Sequence, residues 1–234
     1  MTTAAVTINN ALVMRDHDLT WRWFDAFGAY VRKWFFDYRS VVSTTTAAGA
    51  TVTQTNGTLV ATASVSGGAT TITLGGGDND VLEVQSRTEP FRFASRWPAY
   101  FGAKFQLVDA DQTDFHLGWT ITDTDHAGGI SDGIYFRLVD ESAVLTLVLE
   151  QDSVETTVEL ATLADATDYT AELYYDGDYV HAYINGVLVT SVAATNANFC
   201  NDEDLCATIA VQAGEGSANN CQLYWLRALQ VQEA

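Results

Sequence analysis

The chain is predicted to be all-β, two antiparallel sheets packed face to face, and three observations carry that expectation. From Tyr100 onward, apolar and polar residues alternate through ten short segments, the period of half-buried strands. Asp176-Gly177 and Asn185-Gly186 are hairpin dipeptides, because a tight turn needs positive φ, which glycine adopts freely and Asn or Asp tolerates. At 234 residues, 47% apolar and 12% aromatic, the chain can bury the core of one large sandwich.

Nine aromatic residues crowd Leu19 to Tyr38, and Trp21, Phe24, Phe27, Val31, Trp34, Phe35 and Tyr38 recur at helical spacing behind Asp18 as an N-cap. The spacing predicts a short amphipathic helix, while Gly28 and the off-face Trp23, Tyr30 and Phe36 leave a bent helix or an extended arm open. Residues 1–40 are therefore read as an N-terminal helix or arm packing on a sandwich of residues 41–234, one domain overall. Exposed aromatic and arginine side chains concentrate binding energy, so Arg22, Trp23 and Arg32 are the partner-binding candidates.

Ser40 to Asp80 turns to Thr, Ala, Gly, Ser and Val, with strands at Thr58 to Val65 and Thr70 to Leu74 separated by Asn56-Gly57, Gly67-Gly68 and Gly75-Gly76-Gly77. Pro90 and Pro98, the only prolines, bracket a strand at Phe91 to Ala94. The dense part follows as Tyr100 to Leu107, Asp114 to Thr122, Gly133 to Val139, Ala143 to Leu149 and Val154 to Leu160. It continues through Tyr169 to Tyr175, Tyr179 to Ile184, Val187 to Val192, Leu205 to Ala213 and Leu223 to Val231. Tyr169 to Val192 reads as a three-stranded meander, with Val180, Ala182 and Ile184 on one face and Tyr179, His181 and Tyr183 on the other.

The formal charge is −19, and it is unevenly spread: up to Val108 nine basic residues face eight acidic ones, and beyond it two face 22. Such a chain is repelled by polyanions and anionic bilayers, which excludes a general nucleic-acid or membrane-surface binder. No apolar run is long enough to span a bilayer, and no basic segment precedes an apolar one at Met1 to Asn10. With 20 Asp to 10 Glu and only Lys33 and Lys104 as lysines, the composition resembles that of proteins from salt-loving organisms. Cys200, Cys206 and Cys221 match no zinc spacing; they read most simply as thiols, with a Cys200–Cys206 disulfide as the alternative.

Glu150-Gln151-Asp152-Ser153-Val154-Glu155 matches E-x-D-x-x-E, the signature of retaining β-glucanases, in which two carboxyls about 5 to 5.5 Å apart divide the nucleophile and acid/base roles. Those enzymes carry it within one strand, whereas Gln151-Asp152-Ser153 here reads as a hairpin tip between two strands. Asp109, Asp111 and Asp114 alternate as calcium-binding loops do, without the glycine and terminal Glu of a helix-loop-helix site, so no cofactor is expected beyond weak Ca²⁺. His17, His116, His126 and His181 form no paired metal motif, and no G-x-S-x-G or phosphate loop is present. Trp21, Trp97, Trp119 and Trp225 read as core or as a sugar-stacking platform.

The runs Asp114-Phe115-His116-Leu117-Gly118-Trp119-Thr120-Ile121-Thr122-Asp123, Asp132-Gly133-Ile134-Tyr135-Phe136-Arg137-Leu138, Tyr174-Tyr175-Asp176-Gly177 and Tyr183-Ile184-Asn185-Gly186 resemble the concanavalin A-like (laminin G-like) jelly-roll domains of tailed-virus virion proteins, over roughly Phe91 to Val231. The resemblance implies a two-sheet antiparallel jelly roll and a structural, non-enzymatic virion component, a decoration protein or a turret or fibre subunit, of which the leading reading is a decoration protein binding and stabilising the head lattice. Its partners would be the major capsid protein and itself, as a trimer or other cyclic oligomer. It would be made in the host cytoplasm and sit on the capsid exterior. Two other functions stay open, a lectin-like turret or fibre module recognising host glycans and a glycosidase using Glu150 and Glu155.

Overall fold

The computed structural model describes residues 31–63, 67–214 and 220–231, together with the backbone of three strands nearer the N-terminus. In chain order the strands are β1 Ala4–Ile8, β2 Ala11–Arg15, β3 Trp23–Phe27, β4 Val31–Phe36, β5 Val41–Ser43, β6 Thr46–Ala47, β7 Ala50–Thr55, β8 Gly57–Thr62, β9 Ala69–Leu74, β10 Val81–Ser86 and β11 Phe91–Arg92. They continue as β12 Ala99–Leu107, β13 Thr113–Thr120, β14 Gly133–Leu138, β15 Val144–Gln151, β16 Val154–Thr162, β17 Thr167–Tyr175, β18 Tyr179–Ile184, β19 Val187–Ala193, β20 Asp204–Ala213 and β21 Asn220–Val231.

Two eight-stranded antiparallel sheets form the sandwich. The first runs β16-β15-β14-β13-β20-β10-β7, with β11 also on β20; the second runs β19-β18-β17-β12-β21-β9-β8, with β4 also on β21. Alternation decides what lies between them. Phe115, Leu117 and Trp119 of β13 and Ile209 and Val211 of β20 face Phe101, Ala103 and Phe105 of β12 and Leu173 of β17, all fully buried in one cluster. Trp119 anchors it, with its ring 5.0 Å from Phe93, 5.6 Å from Phe101 and 6.1 Å from Phe91 between centroids. Since side chains alternate with period 2, a one-residue slip of any strand would expel its apolar set, so burial fixes the register.

The faces of the meander are as expected, with Val180, Ala182 and Ile184 buried and Tyr179 exposed beside half-buried His181 and Tyr183, but at its first turn Gly177 takes positive φ, +104°, and Asp176 does not. Asn185 and Gly186 take φ of +51° and +77°, the positive-φ pair the turn chemistry called for. At its far side β19 is a sheet edge on which Val187, Leu188 and Val189 are 66%, 50% and 41% exposed.

The expected N-terminal helix is not formed where the chain is described. Trp23–Phe27 and Val31–Phe36 are strands, β3 pairing with β2 and β4 with β21. In β4 alternation overrides the helical spacing: Trp34 and Phe36 pack on the core while Lys33 and Phe35 point outward. Aromatic and β-branched residues suit a pleated surface, and β21 supplies the backbone partners a helix would have replaced. Asp18 lies outside the described residues, whereas Asp37 caps a 3₁₀ turn, Tyr38–Ser40, by accepting the Arg39 N–H at 2.8 Å. β7 and β10 were not marked in the sequence, and the expected strand at Phe91 to Ala94 is only two residues long.

Candidate functional site

Glu150 and Glu155 face each other across β15 and β16, joined by a two-residue turn in which Asp152 and Ser153 have φ of +53° and +62°. The E-x-D-x-x-E residues thus occupy two strands and a turn, not one strand. Glu150 is 6% exposed and accepts the Tyr135 hydroxyl at 2.5 Å. Burial raises its carboxyl, helped by the charges of Glu155 and Asp132 and opposed by Tyr135 and Arg137. Arg137 holds Glu155 low, gripping both its oxygens at 2.6 and 3.0 Å. The two carboxyls are pushed apart in acidity, as an acid/base pair requires, but the would-be nucleophile is locked in a bidentate ion pair.

Asp109 and Asp111 meet Asp165, not Asp114, with carboxylate oxygens within 4.8 Å of one another. One Asp165 oxygen already accepts the Ala110 N–H at 2.9 Å. Asp114 is turned to the Asp140 N–H at 2.9 Å, and burial raises it. Asp132, Cys200 and Asp202 form a second such group. All three cysteines are buried free thiols, Cys200 raised to about 12 mainly by burial.

The middle of the outer face of the first sheet is covered, while Glu155, Thr157 and Glu159 of β16 stay exposed at its edge. The covering loop, residues 121–132, lays His126 onto Glu83: the His126 N–H donates to Oε1 at 2.8 Å, and Nδ1 is 3.3 Å from Oε2. Thr120 Oγ1 is 3.1 Å from His126 Nε2 and 2.8 Å from Thr208 Oγ1, and all four residues have 0% exposure. This acid, imidazole and hydroxyl arrangement fastens the loop where no solute can enter.

An open cavity of about 390 Å³ lies at one end of the sandwich, lined by Phe93, Ala94, Arg96, Tyr175, Ala194, Thr195, Phe199 and Asn201. Its floor is aromatic: Phe93, Tyr175 and Phe199 contact one another with centroids 5.3 to 6.1 Å apart. Arg96, itself at φ +56°, donates from Nε to the Gly177 carbonyl at 2.9 Å and pairs with Asp178. Tyr175 Oη donates to the same carbonyl at 3.0 Å, so the Asp176 to Asp178 turn forms part of the rim's support. Nothing in the sequence marked this cavity, because its residues come from three distant segments.

The outer face of the second sheet carries rings interleaved with bases. Lys104 lies 4.4 Å from the Tyr224 ring and 2.8 Å from Asp168, Arg227 lies 5.0 Å from the Trp225 ring, and Lys33 lies 5.9 Å from Phe35. Tyr100 lies over Gly102 and donates to Glu172 Oε1 at 2.6 Å. Among the tryptophans, Trp119 is core, Trp225 is half-buried on this face, and Trp97 sits 5.7 Å beneath Arg32. Arg32 also donates to the Pro90 carbonyl. Arg22, His17, Trp21 and the side chain of Trp23 lie outside the described residues.

No family model and no curated protein matches the chain. Solved structures do. A protein of unknown function from Shewanella oneidensis MR-1 aligns with TM-score 0.64 at 16% identity, covering 87% of this chain and 88% of that one. The carbohydrate recognition domain of Emp47p aligns at 0.60 and 10% identity, over 87% and 95%. Apo Crh5 transglycosylase aligns at 0.59 and 11%, over 86% and 85%. The fold is that of concanavalin A-like jelly-roll sandwiches, on which binding domains and enzymes both occur.

Proposed function

We propose that the chain is a glycan-recognition module whose ligand sits in the end cavity. The observation that carries this reading is the cavity itself: an aromatic floor with a guanidinium, an amide and a hydroxyl at the rim, in a volume within the range of small-ligand sites. Sugars present apolar C–H faces and hydroxyl edges, which such a floor and rim complement. A likeness in fold to a carbohydrate recognition domain supports it. The glycosidase reading is weaker, because Glu155 is tied by Arg137 and the E-x-D-x-x-E residues do not share a strand. A glycan array followed by calorimetry tests the proposal. Binding by wild type that falls at least tenfold in Asn201→Ala supports it, and a flat array with folded protein removes it.

A second reading, decoration of a tailed-virus head as a homo-oligomer on the capsid exterior, is favoured by the outer face of the second sheet. There Lys33, Lys104 and Arg227 stand among rings in a chain of net charge −19. Co-sedimentation with capsids stripped of accessory proteins in molar salt, lost in Arg227→Glu, is the expected result. Binding unchanged by that substitution counts against this face.

A further inference from the structure

The turn that supports the cavity also holds a constellation that glycan recognition leaves unused. Asp176 Oδ1 accepts two backbone N–H groups, from Asp178 at 2.8 Å and Tyr179 at 2.7 Å. The other oxygen, Oδ2, is left 3.1 Å from His181 Nε2, and on the far side of the ring Nδ1 lies 2.8 Å from Ser191 Oγ. Tyr174 stacks on the imidazole with centroids 6.0 Å apart and planes at 18°, and Tyr179 flanks it at 6.1 Å. We propose that Asp176, His181 and Ser191 form an acyl-transfer site that hydrolyses exposed esters of short acyl chains, an activity that goes beyond the glycan reading.

Position and tautomer both follow from the hydrogen bonds. An ionised carboxylate only accepts, so Asp176 draws the ring proton to Nε2 and leaves the Nδ1 lone pair for the Ser191 hydroxyl. Burial alone would raise Asp176, yet the N–H groups of Asp178 and Tyr179 and the ring of His181 outweigh it and keep the group low. Ser191 is set opposite His181 by a bulge. The tight turn pairs Ile184 with Val187 and Tyr183 with Leu188, and the extra residue before Thr190 brings Ser191, not Thr190, across from the imidazole.

The strand also supplies a donor. The Ala194 N–H bonds the Asp178 carbonyl at 2.7 Å, which makes every second pair a bonded one and leaves His181 and Ser191 a close, non-bonded pair. The Ser191 N–H therefore points off the edge of the sheet, beside its own Oγ, where it can meet a developing oxyanion. Leu188, opposite Tyr183, shares the face and is 50% exposed, apolar ground for a short acyl group.

In the first step Ser191 Oγ attacks the ester carbonyl carbon and its proton passes to His181 Nδ1. The bond to the alcohol breaks, and the alcohol leaves with that proton. Water then attacks the acyl-serine, gives its proton to Nδ1, and the acid departs as Ser191 Oγ recovers the proton. Asp176 is a positioning residue, acting through His181.

The test uses the full chain with p-nitrophenyl acetate and butyrate, and a fluorophosphonate read by intact and peptide mass spectrometry. Wild type should turn over both esters and carry one phosphonyl adduct on Ser191. Ser191→Ala should lose the adduct and about 100-fold in kcat/KM, the low end for general-base catalysis at an open site. Asp176→Asn should lower kcat with KM unchanged while its thermal midpoint stays close to wild type. No turnover above the buffer rate, an adduct elsewhere, or equal rates in Ser191→Ala would overturn the proposal. A bond that is only structural would shift the midpoint of Ser191→Ala and leave wild type unlabelled.

Discussion

Replacing Tyr135 with Phe isolates one hydroxyl. The Tyr135 ring packs against Ile130 and Val148, contacts that Phe keeps, so the change removes only the donor 2.5 Å from Glu150. A hydrogen bond to a charged, buried group contributes about 1.5–3 kcal/mol, against roughly 0.5–1.5 kcal/mol when the acceptor is neutral. The cost should therefore depend on pH. Burial is the largest cause of the raised Glu150 carboxyl, so its own contribution to stability is full below its unfolded value and is lost as pH rises through the raised folded one. In Tyr135→Phe the ionised form loses most, and the destabilisation should grow from about 1 kcal/mol in acid to about 2–3 kcal/mol at pH 8. For a chain of this length that is a fall in Tm of roughly 5–10 °C at the upper pH. Urea denaturation followed by tryptophan fluorescence in 1 M KCl, at half-unit pH steps, measures it. A loss that is the same at every pH, or none, refutes the argument.

Gly118→Ala should cost about 3 kcal/mol or more, since a Cβ there would lie 2.5 Å from Tyr135 Cα and 2.6 Å from the Ile134 oxygen, backbone that cannot step aside; calorimetry against wild type reads it. Gly102→Ala meets a ring instead, 2.3 Å from Tyr100 Oη, and should cost about 1–3 kcal/mol by displacing Tyr100 from Glu172, with no further loss when Tyr100→Phe is added. Glu155→Gln should destabilise above the usual glutamate range and not below it, because the Arg137 hydrogen bond that lowers Glu155 contributes above its unfolded value and is lost as pH falls; parallel denaturation at two pH values decides. Raising KCl from 10 mM to 1 M, which shortens screening from about 30 Å to about 3 Å, should raise Tm of a chain with net charge −19, and a flat or falling midpoint removes the self-repulsion argument.

Local turn chemistry was the readable part of this chain. Asn185-Gly186 announced its hairpin, and alternation placed Val180, Ala182 and Ile184 inside. Trp34 misled because residues four apart share a face in a helix and in a strand alike, the off-face Phe36 was the sign of the strand, and the decision was made by β21, far along the chain. β10 was not marked as a strand, and its Glu83 and Gln85, polar residues of a kind usually exposed, are buried by the His126 loop. Of the site residues, Glu150 and Glu155 were legible as a pair across a turn. The Asp176, His181 and Ser191 relay was not, since the turn alone puts Thr190 opposite His181 and a bulge leaves no mark in residue type.

The edge strand β19 has a consequence for how the protein behaves in bulk. Val187 to Ala193 contains no charge and no proline, so of the features by which sheets usually discourage a stranger from adding on it keeps the bulge at Val189. Colloidal protection must come from elsewhere, and the surplus of carboxylates supplies it by keeping whole molecules apart. That protection vanishes near the pI of about 4.2. Mild acid should then turn clear solutions turbid while the sandwich is still folded, and one lysine in place of Val189 should keep them clear.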